Sequence, residues 1–150
     1  MSKGLETAGY AAVSADFDLF CQESGLRSSD LTWALNEAIP QDGLFTPLGC
    51  VAVSTPPQEG KTTWIIHYIA WQLMRNPRLN VIYVAYSQFR ANSVSRQIRD
   101  LVRRWTPLRD DSASVSQWQT ERGGGLLAAG RGTGVTGFSC CLPPGARWLP

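Results

Sequence analysis

The sequence predicts an α/β fold in which a mostly parallel sheet is flanked by helices. Three observations carry that prediction. Short apolar runs rich in β-branched residues alternate with longer stretches of helical spacing. The first short run meets the first long one through Gly60-Lys61-Thr62, a tight backbone junction. The resulting order, strand–helix–strand–helix, implies parallel neighbours joined by right-handed crossovers.

Met1 to Ala12 is small and polar and is expected to fray. Asp16 to Glu23 predicts a short helix, with Phe17, Phe20 and Cys21 at helical spacing. Ser29 or Asp30 caps a second helix through Ile39, with Leu31, Ala34, Leu35 and Ala38 on one face. Pro40 to Gly49 is a turn-rich connection. Cys50 to Ser54 has the small and β-branched character of a buried strand. Thr62 to Arg75 reads as a helix apolar almost all round, from Trp64 to Met74, which calls for burial in a layered core. Asn76-Pro77 ends it, because the residue before proline is pushed out of the helical region.

Asn80 to Tyr86 is a continuous apolar run, as in a central strand covered on both faces. Ser87 caps a helix from Gln88 to about Trp105. On a wheel of about 100° per residue, Val94, Ile98, Leu101, Val102 and Trp105 share one side, and Arg96, Arg99 and Arg103 fall opposite. Arg109 to Thr120 is polar and loop-like. Gly123 to Gly137 holds seven of the fourteen glycines around Leu126-Leu127-Ala128-Ala129, which predicts a short strand between turns.

Chemistry concentrates at residues 55 to 63. Gly60 lets the backbone bend close to a phosphate, and neighbouring N–H groups join the positive end of the following helix. Lys61 reaches phosphate oxygens as a point charge, and the Thr62 hydroxyl suits Mg²⁺. Gln58, Glu59, Gly60, Lys61, Thr62 and Thr63 are thus the candidate nucleotide-binding residues. Lys61 is the candidate catalytic one and Thr62 the candidate Mg²⁺ ligand; ATP and Mg²⁺ are the implied cofactors. Thr55 stands where the full phosphate-loop pattern has its first glycine. The plain alternative is a β-turn-α unit with a surface lysine.

Arg96, Arg99 and Arg103 are candidate DNA contacts, since phosphate neutralisation dominates DNA affinity. The alternative is a solvated helix face. His67 reads as a core or helix-surface histidine, and Trp118, in a polar stretch, as exposed and open to base stacking. Cys21, Cys50, Cys140 and Cys141 lack metal-ligand spacing and read as thiols of a reducing compartment. A net charge of +2 singles out no polyanion partner. No apolar run reaches bilayer length and no signal-peptide pattern begins the chain, so a cytoplasmic, membrane-free setting is expected.

Pro-Pro-x-x-Gly-Lys-Thr at 56–62, the stretch Val81 to Ser87 leading into Ser95 to Arg99, and Gly125 to Gly130 ahead of Thr133-Gly134-Val135-Thr136-Gly137 together resemble the ATPase part of the large terminase subunit of tailed phages. The resemblance covers roughly residues 28 to 137. It implies a P-loop NTPase-type domain there, with an N-terminal segment 1–27, partly disordered, and an atypical tail 138–150. It further implies ATP hydrolysis coupled to moving double-stranded DNA into a capsid, with the portal and small terminase subunit as partners and a homo-oligomer for the intact protein. A helicase-like P-loop translocase and an inactive nucleotide-binding remnant are the rival readings.

The chain departs from that family in two places. Where paired acids on an apolar strand are expected, residues 138–150 contain none and carry prolines that oppose a central strand. The expectation is a sheet incomplete at its C-terminal end, from a truncated or frameshifted sequence. The loop also has Pro57 and Gln58 where related terminases carry an arginine, so its own transition-state cation is missing.

Overall fold

The computed structural model describes residues 3–27, 29–39, 52–110 and 114–134. The expected connection at Pro40 to Gly49, the start of the Cys50 strand, Val135 to Gly137, the tail 138–150 and Cys50, Cys140 and Cys141 lie outside the described residues.

The described chain is mixed α/β: α1 (Lys3–Ala15), α2 (Phe17–Ser24), α3 (Asp30–Ala38), α4 (Lys61–Arg75), β1 (Asn80–Ala85), α5 (Gln88–Val102), β2 (Gln117–Gln119) and β3 (Gly125–Gly130). The capping chemistry places the helix starts where the sequence suggests. Asp16 accepts from the amides of Asp18 and Leu19 to open α2. Ser29 and Thr32 form a reciprocal capping box on α3, and Ser87 accepts from the Arg90 amide on α5. Gly25, at φ 81°, closes α2 in the left-handed region.

Helix α1 replaces the expected fraying. Its alanines favour helix, and its last turns are held from outside the helix. Val13 is buried, its carbonyl accepts from Trp71 Nε1 at 3.1 Å, and Tyr10 Oη donates to the Met74 carbonyl at 2.8 Å. Neither contact is visible in the local sequence.

The sheet runs β1-β3-β2. β1 and β3 are parallel, with Asn80 opposite Gly125 through Ala85 opposite Gly130. β2 is antiparallel to β3, with Trp118 opposite Leu126. Parallel pairing is thus present, but it joins β1 to β3. No strand forms over Ala52–Ser54, which are exposed and unpaired in the described chain. Their β-branched composition is not enough, because a strand also needs a partner edge, and the described sheet does not extend to them.

Among the described residues β1 is correspondingly an edge strand, in place of the central one expected. Helix α5 covers the face that holds Val81 and Tyr83. The other face leaves Ile82 and Leu127 half-buried and Val84 61% exposed. Tyr86 and Phe89, just beyond β1, are also exposed.

Helix α4 is as buried as its composition demands, but by helices. It packs chiefly on α5, α2 and α1, while α5 carries the contacts to β1 and β3. Phe17 lies 5.1 Å from Trp71 and edge-on to Trp64 and Tyr68, which stack at 4.9 Å. Such pairs add about 0.5–1.5 kcal/mol each beyond the area they bury.

Trp118 corrects a second expectation. It is buried on β2, its Nε1 donates to Ser95 Oγ at 3.0 Å, and Ser95 Oγ donates to the Val115 carbonyl at 2.6 Å. The polar residues around it are the alternate, outward positions of an antiparallel strand.

Candidate phosphate site at the start of α4

The loop from Thr55 to Gly60 is exposed apart from half-buried Thr55, and it turns at Pro57 and Gln58. Two residues have positive φ: Gln58 at 67° and Gly60 at 86°. Glycine adopts that region freely; glutamine is strained there by roughly 1 kcal/mol. Nothing in the sequence marks Gln58 for this conformation.

Gly60 is the N-cap of α4, and no side chain caps the helix. Its carbonyl accepts the Trp64 amide at 2.9 Å, the first bond of the helix. The amides of the first turn have no carbonyl inside the helix to bond. With the helix dipole they form a concentration of positive potential suited to an anion.

The structure does not gather the six sequence-predicted residues on one side. Gln58, Glu59, Gly60 and Thr63 line an open cleft of about 500 Å³ together with Gly25, Leu26, Arg27, Ser29, Thr32 and His67. Lys61 and Thr62 instead border a neighbouring, mostly apolar groove of about 270 Å³ lined by Leu35, Ile39, Val53, Trp64 and Ile65. The two hollows flank the first turn of α4.

Lys61 is folded back onto the loop. Its Nζ donates to the Thr55 carbonyl at 2.7 Å, to Thr55 Oγ1 at 2.6 Å and to the Pro56 carbonyl at 2.7 Å. Those three bonds match the three donors of an ammonium. A phosphate would exchange neutral acceptors for charged ones, which bond about twice as strongly. Thr55, standing where a glycine is usual, therefore takes part as a ligand of the lysine.

Thr62 is exposed and free to offer its hydroxyl to a cation. No group of three or more His, Cys, Asp or Glu side chains that could hold a metal occurs among the described residues. Among the described residues Glu59 is the one carboxylate on the cleft. A magnesium ion fits this donor set only in company with phosphate oxygens, with Thr62 as its protein ligand.

His67 forms part of the cleft wall. It is nine-tenths buried, and its Nδ1 lies 2.8 Å from the Thr63 carbonyl. A carbonyl only accepts, so Nδ1 carries the hydrogen and Nε2 is left as the ring's second polar atom.

Sequence reasoning missed Arg27, Ser29 and Thr32, which reach the cleft from the α2–α3 turn and the first turn of α3. A local motif search has no means of finding residues brought there by tertiary packing.

The arginine face is only partly as expected. Arg96 and Arg103 are exposed, as is Arg104, whereas Arg99 is half-buried. Asp100 shares the exposed surface. Among the described residues no helix is long and apolar enough to cross a membrane. No protein-family model matches the chain, and comparisons with curated proteins and with solved structures find no match either.

Proposed function

We propose that the loop and first turn of α4 bind the phosphates of ATP, within the ATPase part of a DNA-packaging large terminase subunit. The observation that carries the binding step is the junction itself. A left-handed Gly60 delivers the chain into a helix with no side-chain cap, and Lys61 is the first residue of that helix. In this reading the α4 amides and the Lys61 ammonium neutralise the phosphates, and Thr62 supplies an oxygen to Mg²⁺ that arrives with the nucleotide. The terminase assignment rests on the motifs at 56–62, 81–99 and 125–137 and on their order in the chain. A P-loop NTPase-type sheet, double-stranded DNA as cargo, and the portal, small subunit and homo-oligomer as partners belong to the same proposal.

A second reading is favoured by one feature, the lack of any carboxylate but Glu59 on the cleft among the described residues. Glu59 stands in the loop beside the phosphates and would repel them, which suits a water-activating base poorly. This chain is then a nucleotide-binding module that hydrolyses slowly or not at all.

Titration with Mg-ATP tests the binding step, with tryptophan fluorescence as readout. Trp64 lies in the second turn of α4, where its Nε1 donates to Asn36 at 2.8 Å, so it reports on this end of the helix. Saturable binding abolished by Lys61→Ala is expected. Binding unchanged by that substitution would sink the proposal. Turnover measured on the same samples separates the motor reading from the binding module.

A further inference from the structure

The loop has no arginine of its own, yet the cleft beside it does. Arg27, on the turn between α2 and α3, lines the same hollow as Gln58, Glu59, Gly60, Thr63 and His67. We infer that Arg27 is the second phosphate-binding cation of this site, supplied by the α2–α3 turn in place of the arginine missing from the loop. The inference rests on the phosphate-binding reading of α4.

Four observations converge on it. Arg27 is exposed and has no ion-pair or hydrogen-bond partner among the described residues, although it also borders a second hollow that contains Asp18. Its backbone is placed firmly: Gly25 closes α2, and the Leu26 amide donates to the Cys21 carbonyl at 2.8 Å. The nine-tenths-buried His67 lines the same cleft and adds a polar ring to its wall. The hollow, at about 500 Å³, lies in the range of small-molecule sites, roughly 300–1,000 Å³.

Charge argues the same way. Without Arg27 the only formal charge on the cleft among the described residues is the negative one of Glu59. A site that takes a triphosphate needs that carboxylate offset, and Lys61 lies on the other flank of the helix start. A guanidinium is suited to the task, because its planar fork meets phosphate oxygens two at a time.

The test compares Mg-ATP and magnesium pyrophosphate binding to the wild-type chain and to Arg27→Ala, Arg27→Lys, Lys61→Ala and Arg122→Ala, a cation outside the cleft. Thermal melts accompany each variant. The inference expects Arg27→Ala to weaken both ligands by about tenfold or more, Arg27→Lys to recover part of the loss, and Arg122→Ala to change neither. Equal loss with both ligands marks a phosphate contact. Loss with ATP alone places Arg27 on the base or sugar and overturns the inference. Wild-type affinity in Arg27→Ala, with binding abolished in Lys61→Ala, also overturns it and leaves the loop reading intact. If the wild type binds neither ligand, or Lys61→Ala binds as the wild type does, the loop reading fails and Arg27 falls with it. Should Arg27→Ala melt early, Arg27→Lys decides, since a purely structural arginine would not lose phosphate affinity in a folded lysine variant.

Discussion

The two ends of α4 differ sharply in their surroundings. From Trp64 to Met74 the helix is enclosed, with Trp71, Leu73 and Met74 fully buried and aromatic rings in contact along its length. From Gln58 to Thr63 the chain is largely exposed, uncapped by any side chain and strained at Gln58. The buried end fixes the helix axis; the exposed end leaves amides uncapped by any side chain, beside a lysine bonded to neutral loop acceptors. Such a division suits binding, because a rigid body holds the first turn in place while its amides stay uncapped by any side chain and Lys61 is held on neutral loop acceptors that an anion can replace. If the division is real, substitutions in the two ends should separate stability from affinity.

The largest effect is expected at Trp71. Its side chain is fully buried, its Nε1 donates to the Val13 carbonyl, and the Arg75 guanidinium lies 4.5 Å over its ring. Trp71→Ala should cost about 3–5 kcal/mol, read by urea denaturation, with α1 released at the same time. A loss under 1 kcal/mol would mean that α4 is not the organising helix.

Gly130 sharpens the comparison from the sheet side. It ends β3, where its amide donates to Gln88 Oε1 at 2.8 Å. A Cβ there would collide with the backbone of Ser87 and Gln88. Gly130→Ala should cost about 1–3 kcal/mol and leave nucleotide affinity unaltered, because the collision is at the start of α5. Gly60 behaves oppositely. A Cβ on it meets no atom within 4 Å, so only its left-handed φ resists substitution. Gly60→Ala should cost about 1–2 kcal/mol while weakening Mg-ATP binding well beyond what that loss of stability explains. A uniform drop in both quantities at both glycines would erase the distinction.

The buried end was legible in the sequence and the exposed end only in part. A helix apolar all round must be enclosed, and Ser29, Ser87 and Asp16 announce their caps by residue type. The Leu126–Ala129 strand stands out between glycines. The partner of each surface is less accessible. The apolar content of α4 does not reveal that helices, and not the sheet, enclose it. The alternation around Trp118 is hidden by a stretch too short to show a period. Ala52–Ser54 have strand composition without a strand, and α1 forms through tertiary contacts with α4. At the candidate site, spacing singles out Gly60, Lys61 and Thr62. Thr55 as a lysine acceptor, Gln58 as the strained turn and Arg27 as a lining residue of the cleft emerge only when the backbone segments are placed together.

Cys21 offers a pH-dependent check on the enclosed side. Burial is the main reason its thiol is pushed up to about 12, with the Asp18 and Asp16 carboxylates adding to it. A raised value means that the folded state favours the protonated form, so the contribution to stability is complete below the unfolded thiol's ordinary pKa and declines as pH rises from about 9 toward 12. At pH 8 the thiolate fraction is smaller than that of a free cysteine by on the order of 10³-fold. The native protein should therefore react with a thiol reagent far more slowly at Cys21 than the urea-unfolded chain does, with peptide mapping used to assign the site. Fast modification of Cys21 at pH 8 in a protein that still binds Mg-ATP would show that the helical enclosure opens without disturbing the loop, and the two ends of α4 would then be independent.

The smallest effect is expected at Gln58, and it bears on the exposed end directly. Gln58→Gly removes the strain of a side chain at φ 67°. It also frees the unfolded chain by adding a glycine, which opposes the gain. The net change in stability should stay within about 1 kcal/mol. Affinity need not follow. If the strained turn holds the Gly60 and Lys61 backbone in a binding-ready form, glycine loosens it, and Mg-ATP binding weakens although the fold does not. If affinity rises instead, the strain at Gln58 is a constraint on the turn that ligand binding relieves. Measured beside Trp71→Ala, the substitution tests whether the loop's geometry is set by its own residues or imposed by the buried helix behind it.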